Sequence, residues 1–170
     1  MIEEISLRGR IAFAIMCAER YVLAKKPGAD WSFVFSELWR IADDIHWDDW
    51  SDRVIDLLPE YIYELDCYNP DEFSWIDEKG FTTLKELYAG FGEDWANLLQ
   101  DIVDMEEAYA YTSIPGVGQE SISSLEDVLS ILAKADVAAP PLESVAFSRF
   151  PERGGRGNPF DKLELSIILG

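Results

Sequence analysis

The sequence contains only two cysteines, Cys17 and Cys67, and a single histidine, His46. Two cysteines do not make the disulfide framework of a small secreted domain, and Cys17 lies in an apolar run that is typical of a protein core. The chain also lacks a paired-histidine protease motif, a calcium-loop motif and the cysteine–histidine spacing of a zinc site. These absences leave no disulfide scaffold and no recognisable metal motif, and we expect no cofactor.

Long apolar segments are also absent. No run approaches the ~20 residues that a transmembrane helix requires, and the N-terminal "MIEEISLRGR" has acids and bases where a signal peptide has an apolar region. The chain of 170 residues is 48% hydrophobic and 13% aromatic, enough for one domain, residues 1–170, with a sizeable core. We therefore expect a soluble, cytoplasmic protein that does not contact a membrane.

Basic residues are scarce. The sequence has 33 acidic and 14 basic residues, which gives a formal net charge of −19. The imbalance is local, because residues 41–136 hold 24 acids and four bases, and residues 86–133 contain no base at all. A field of this sign repels nucleic acids and attracts cationic partners. We expect no direct nucleic-acid binding, and we expect a basic protein partner.

The hydrophobic pattern predicts a mainly α fold, a single-domain bundle of about six helices within residues 1–136. The first helix, over 6–26, is capped by Ser6 and is apolar all round in its middle, which is typical of a central helix. The second, over about 31–45, starts behind Asp30 as its N-cap and buries one apolar face. A third starts at Asp48 or Asp49, and Pro59 either ends it or opens another helix. Capping boxes at Thr83–Glu86 and Ser123–Glu126 predict helices over 83–90 and 123–135, and a long amphipathic helix is predicted over 92–111.

The pattern changes in residues 137–170. "ESVAFSRF" and "DKLELSIIL" resemble two strands joined by the glycine-rich "PERGGRGNPF", which predicts a small C-terminal β-hairpin appended to the helical core. The segment carries Arg149, Arg153 and Arg156, which resemble a phosphate- or RNA-contacting set. In so acidic a chain we expect them at a solvated tip, or docked on the protein's own acids or on a second copy.

The segment "DDIHWDDWSD", residues 43–52, combines five aspartates, two tryptophans and the histidine. Asp48 or Asp49 as a helix cap explains part of the cluster. Asp44, His46 and Asp48 could instead supply three ligands to a divalent ion. Paired carboxylates for acid–base catalysis are a third interpretation, although no nucleophile or glycine-rich motif accompanies them and we predict no catalytic residue.

A charged binding face accounts for more of the acids. Helical steps of three and four residues connect the acids of residues 49–64, which form one stripe if Pro59 leaves the axis intact. Repulsion within the stripe is not relieved by lysines, and aromatic residues, the usual anchors of interfaces, lie among the acids. The predicted partner-binding residues are Trp47, Asp48, Asp49, Asp52, Asp56, Glu60, Tyr63, Asp101 and Asp104.

Two charged residues, Glu19 and Arg20, lie in apolar rows of the first helix. A buried charge without a partner costs several kcal/mol, so we predict that they belong to a buried structural ion pair. The segment "GRIAFAIMCAERYVL" that carries them, together with "ELW" and "DDWSDRVIDLLPEYI", resembles the almost wholly helical family numbered six of the bacterial polymorphic-toxin immunity proteins. The resemblance covers about residues 6–65.

This resemblance implies a non-enzymatic cytoplasmic protein, a monomer or weak homodimer, that binds and neutralises a cognate toxin. The charge pattern points to the same class, because an acidic, aromatic-containing face complements the basic cleft of a toxin that attacks nucleic acid. Two alternatives stay open. One is a nucleic-acid mimic that blocks a DNA-binding protein, and the other is a metal-dependent enzyme that uses the Asp/His cluster.

Overall fold

The computed structural model describes residues 1–170 and contains seven α-helices and no β-sheet. The mainly α prediction is confirmed. None of the helices is both long and apolar enough to cross a membrane. The helices are α1 (Leu7–Lys25), α2 (Ser32–Leu38), α3 (Trp47–Ile55), α4 (Pro59–Glu64), α5 (Glu78–Tyr88), α6 (Glu93–Glu107) and α7 (Gln119–Lys134).

Helix α1 lies at the centre of the molecule, as predicted. Its N-cap is Ser6, whose hydroxyl accepts a hydrogen bond from the Gly9 amide. Residues 11–18 are all buried, because α6 and α7 pack on one part of the helix and the 3-10 turn Trp39–Ala42 on another. A helix that is apolar all round has no solvated face, which is why its position followed from sequence.

An aromatic cluster joins α2, α5 and α6. Trp31 contacts the rings of Tyr88, Phe91 and Trp95 at centroid distances of 6.4, 5.4 and 5.8 Å. The apolar face predicted for the second helix is buried, but α2 ends at Leu38 and a 3-10 turn follows it, so the predicted helix over 31–45 was too long.

Two predicted capping boxes do not begin helices. Helix α5 starts five residues before Thr83, where the Asp77 carboxylate accepts from the Gly80 amide, and α7 starts behind Gly118 rather than at Ser123. In α5 the buried Phe81 belongs to the same apolar face as the residues after it. Burying that longer face favours the earlier start, because packing outweighs a local capping signal.

The predicted C-terminal β-hairpin is wrong. Residues 137–170 form 3-10 turns, and the only β pairing is a single antiparallel bridge between Ile5 and Arg149. The chain curls at Arg153 and the following glycines, which have positive φ angles. The backbone pairs with other segments, because the Ser6 amide donates to the Ser148 carbonyl and the Phe160 amide to the Ala42 carbonyl. The segment therefore packs on the start of α1.

The predicted ion pair of Glu19 and Arg20 is also wrong. Glu19 is fully buried and accepts hydrogen bonds from Trp39 Nε1 at 2.8 Å, from the Ser166 hydroxyl and from the Ile167 amide at 2.9 Å. Arg20 is half-buried and belongs to none of the salt bridges. Neighbouring residues of a helix point about 100° apart, so one side chain faces the core and the other its edge.

Candidate partner-binding groove

The predicted acidic stripe over residues 49–64 is interrupted. Helix α3 ends at Ile55, and Pro59 opens α4 as its first helical residue, so the acids lie on two helices with different axes. Neither Asp48 nor Asp49 is the N-cap of α3, contrary to the prediction. His46 occupies the N-cap position of α3 without a side-chain bond, and Asp48 and Asp49 lie in the first turn, where the helix dipole favours acids.

Asp56 is not available to a partner, contrary to the prediction. It is buried in the turn after α3, and its carboxylate accepts hydrogen bonds from three successive amides, those of Ser74, Trp75 and Ile76, at 2.9 to 3.2 Å. This carboxylate holds the loop before α5 against α3. Its spacing matched the exposed acids, but its role is structural.

A groove of about 450 Å³ lies between α4 and the start of α6. Glu60, Glu64 and Glu93 provide its carboxylates, and no lysine, arginine or histidine lines it. The half-exposed Tyr63 ring packs on Tyr88 at a centroid distance of 6.5 Å. The other lining residues are Leu58, Pro59, Phe91, Gly92, Ala96, Asn97 and Gln100. The groove therefore combines apolar surface with negative charge, and no positively charged residue lines it.

Tyr63 links the two sides of this groove. Its hydroxyl donates to the Gly92 carbonyl at 3.4 Å. Burial is the main reason why the pKa of its phenol rises to about 12. Tyr63 is the one predicted aromatic anchor that lies in the groove.

Further acids continue along α6. The Asp104 carboxylate accepts from Gln100 Nε2 at 2.8 Å. Asp101 faces Asp127 of α7; its partial burial, followed by the charges of Asp127 and Asp104, raises its pKa to about 7. Neither Asp101 nor Asp104 belongs to a salt bridge, and the same holds for the three groove glutamates and for the exposed Asp49 and Asp52.

Salt bridges instead lie elsewhere on the molecule. Glu37 pairs with Arg40 and Arg53, and the remaining pairs are Asp94–Lys134, Asp44–Arg153 and Asp43–Lys162. None of these pairs includes a carboxylate that lines the groove, although Lys134 lies close enough to Glu93 for the charge of Glu93 to raise the pKa of Lys134. The groove therefore has three carboxylates without a salt bridge, two on α4 and one at the start of α6.

Trp47 and Asp48, two predicted partner-binding residues, lie outside the groove. They line a second cleft, where the guanidinium groups of Arg8 and Arg156 stand over the Trp47 ring, 5.2 and 5.7 Å from its centroid. Arg153 pairs with Asp44 at 2.9 Å. The predicted docking of the C-terminal arginines on the protein's own acids is therefore observed for Arg153, whereas Arg156 donates to the backbone carbonyls of Tyr109 and Thr112.

The proposed metal ligands do not converge. Asp44, His46 and Asp48 line the second cleft, but no group of three or more histidine, cysteine, aspartate or glutamate side chains is placed to hold a metal ion. Arg8, Arg153 and Arg156 line the same cleft. Sequence spacing placed the candidate ligands together, but it could not show that arginines from both ends of the chain join them.

Sequence reasoning missed Glu106, which lies in the second cleft and is 1% exposed. Its position on α6, between the buried Met105 and the exposed Glu107, gave no signal that separates it from the solvated acids nearby. Burial raises the pKa of Glu106 to about 7; Asp48 and Glu107 add to the rise, while Ser51 and Arg156 oppose it.

Glu106 should make stability depend on pH. Its folded pKa of about 7 lies above its ordinary value of 4.5, so the folded state binds more protons between these limits and loses stability as pH rises through them. We expect Glu106→Gln to raise the free energy of unfolding by about 1–2 kcal/mol at pH 8, relative to its effect at pH 5. Urea unfolding at both pH values measures this difference. The exposed Glu107→Gln is the control, and a pH-independent effect of Glu106→Gln would contradict the prediction.

Comparison with known proteins does not assign the chain to a family. No family model, curated protein or solved structure matches it. The functional interpretation therefore depends on the groove, the cleft and the charges around them.

Proposed function

We propose that this protein is a non-enzymatic, immunity-type inhibitor that binds and neutralises a basic toxin domain through the groove between α4 and α6. The observation that carries the proposal is a groove with three glutamates, an aromatic wall and no cation. Like charges so close together destabilise the free protein slightly. A cationic partner would relieve that repulsion on binding, which gives the arrangement a physical reason.

The groove suits lysine and arginine side chains of a partner. Their aliphatic stems would pack on Tyr63 and Phe91, and their charged ends would reach the carboxylates of Glu60, Glu64 and Glu93. An aromatic ring also attracts a cation held over its face. Asp104 adds negative charge along α6, Asp101 adds more in its ionised form, and the exposed Asp49 and Asp52 add carboxylates on α3.

Charge and aromatic surface would contribute to different steps of binding. Complementary charge accelerates the encounter of two proteins and selects the partner. The lifetime of a complex depends more on a few buried aromatic contacts, which mainly change the dissociation rate. Tyr63 is the groove residue best placed for that second role, because it is half-exposed and already fixed against Tyr88.

The resemblance of residues 6–65 to the immunity family supports the same class of function, acting in the cytoplasm as a monomer or weak homodimer. The arrangement of charge favours it over a nucleic-acid mimic. A mimic requires carboxylates at phosphate-like intervals along an extended face, whereas here they surround a groove with apolar walls. The metal-dependent alternative lacks a ligand group of the required size.

Two triple variants that reverse charge, one inside the groove and one outside it, test the groove. The triple variant Glu60→Lys, Glu64→Lys, Glu93→Lys should slow association with a basic partner domain, isolated by pull-down with the wild-type protein, by about tenfold or more at low salt, because the attraction is local. The control reverses the exposed Glu4, Glu126 and Glu143, which do not line the groove, and gives the same net charge.

Surface plasmon resonance at two salt concentrations measures both rates. High salt should reduce the difference between the two triple variants, since salt screens exposed charges. Tyr63→Ala should raise the dissociation rate by about tenfold, while Tyr61→Ala, exposed on the same helix but outside the groove, should not. If the two triple variants slowed association equally, the groove would not be part of the interface.

A further inference from the structure

The second cleft has the dimensions of a ligand site. It encloses about 480 Å³, within the range of about 300–1,000 Å³ that small-molecule sites occupy. Four distant parts of the chain form it, namely the start of α1, the segment around the start of α3, the end of α6 and the C-terminal loop. Its lining includes Arg8, Trp47, Asp48, Glu106, Arg153 and Arg156.

Glu106 is a buried polar group without a partner. Neither of its carboxylate oxygens has a hydrogen-bond partner, although the side chain is 1% exposed and lines the cleft. The Ser51 hydroxyl is close enough to lower the pKa of Glu106, but the hydrogen bond with acceptable geometry runs from this hydroxyl to the Asp48 carbonyl, at 3.2 Å. Buried polar side chains are almost always hydrogen-bonded in native proteins, and an exception calls for an explanation such as a missing ligand donor.

Two guanidinium groups of the cleft are likewise not neutralised. Arg8 donates only to the backbone carbonyls of Ile41, Asp43 and Gly157. Arg156 donates from Nη2 alone, to the carbonyls of Tyr109 and Thr112, so its Nε and Nη1 donate to no protein atom.

The salt bridges of the protein involve neither Arg8 nor Arg156, and they involve neither Asp48 nor Glu106. The third arginine, Arg153, is already paired with Asp44. The cleft therefore has a positive pole, Arg8 with Arg156, and a negative pole, Asp48 with Glu106. Neither pole forms a salt bridge, although Arg156 is close enough to Glu106 to lower its pKa. A plain anion would satisfy the first pole and meet repulsion from the second, and a plain cation would do the reverse.

We propose that this cleft binds a small zwitterion, a molecule with one carboxylate and one ammonium group. Its carboxylate accepts from the guanidinium groups of Arg8 and Arg156, and its ammonium group donates to Glu106 and Asp48. Arg8 Nη2 and Arg156 Nε and Nη1 donate to no protein atom, so each arginine can donate a charge-assisted hydrogen bond to the carboxylate. The site is distinct from the groove between α4 and α6 and does not depend on the function proposed for it.

Isothermal titration calorimetry with the full chain at pH 7.5 tests this binding. The probes are glycine, β-alanine and 4-aminobutanoate, which carry the same two charges at increasing separation, and acetate and ethylamine, which carry one charge each. We expect one zwitterion to bind with 1:1 stoichiometry at least about tenfold more tightly than either single-charge probe. The best chain length then reports the separation of the two poles.

Glu106→Gln preserves the shape of the side chain and removes its charge. It should weaken binding of the best zwitterion by about tenfold, whereas Glu107→Gln, on the exposed neighbour, should leave affinity unchanged. Thermal unfolding confirms that both variants fold. Three results would each overturn the proposal: acetate binding as tightly as the zwitterions, an unchanged affinity in Glu106→Gln, or no saturable binding of any zwitterion up to about 50 mM.

Discussion

Replacing Glu19 with alanine is expected to lower the free energy of unfolding by about 3–5 kcal/mol. The Glu19 carboxylate accepts from the Trp39 indole, the Ser166 hydroxyl and the Ile167 amide, and it is fully buried. Alanine would leave these donors without an acceptor and would open a cavity beside α1. The largest loss of order should occur in the C-terminal segment, since Glu19 joins it to α1.

Two further substitutions test whether the loss of stability comes from the hydrogen bonds of Glu19 or from the removal of any charged residue of α1. Glu19→Gln keeps one acceptor oxygen and the side-chain volume, so its cost should be smaller, about 1–2 kcal/mol. Arg20→Ala removes a half-buried cation that has no salt bridge and should change stability by less than about 1 kcal/mol. Urea unfolding followed by circular dichroism measures all three. If Glu19→Ala and Arg20→Ala lowered the free energy of unfolding equally, the result would contradict the structure and support the predicted ion pair.

Asp56→Ala is expected to lower the free energy of unfolding by about 2–4 kcal/mol. The carboxylate accepts from the amides of Ser74, Trp75 and Ile76, and alanine would leave these three donors without that acceptor. The loop before α5 should lose its contact with α3. Hydrogen exchange of these three amides should therefore increase in the variant, which would show that the loop before α5 is the segment that is destabilised.

Asp52→Ala is the matched control for Asp56→Ala. Asp52 lies four residues earlier, is exposed and joins no salt bridge, so its removal should change stability by no more than about 0.5 kcal/mol. An Asp56→Ala protein as stable as the parent would show that the loop amides find other partners. Because Asp56 is structural, a charge reversal there would report on folding and not on the binding of a partner.

The position of α1 was predictable because its evidence is local and redundant. Ser6 supplies a cap, the following residues are good helix formers, and residues 11–18 have no polar face, so only a central position buries them. The starts of α5 and α7 were not predictable to the same degree. Capping sequences occur by chance inside helices, and the choice between two starts depends on which apolar residues find a neighbour to pack against.

The prediction of a C-terminal β-hairpin was wrong for a related reason. Alternating apolar residues in 143–150 and 161–169 match a strand pattern, but a strand also needs a partner for its backbone. In the folded protein the backbone around Ser148 pairs with the chain entering α1, and the Ser6 and Ser148 hydroxyls lie 2.6 Å apart. Because Ser6 and Ser148 are 142 residues apart in sequence, a local strand pattern could not identify this pairing.

The acidic surface was partly predictable. Composition located the excess charge within residues 41–136, and Glu60, Tyr63, Asp101 and Asp104 are at or next to the groove, at least partly exposed. Spacing alone could not show that Asp56 turns inward, or that Trp47 and Asp48 belong to a different cleft. Each of these depends on contacts with residues tens of positions away.

By itself, the sequence determined a helical protein with a buried first helix and an uncompensated negative charge in its middle. These are properties of composition and of short-range periodicity, which each segment carries independently of its neighbours. Only the tertiary structure decided which carboxylates are solvated, which hold loops together and which stand unpaired in a cleft. That choice is set by long-range packing, because the chain's few cations and free amides reach only the acids that the fold brings close to them.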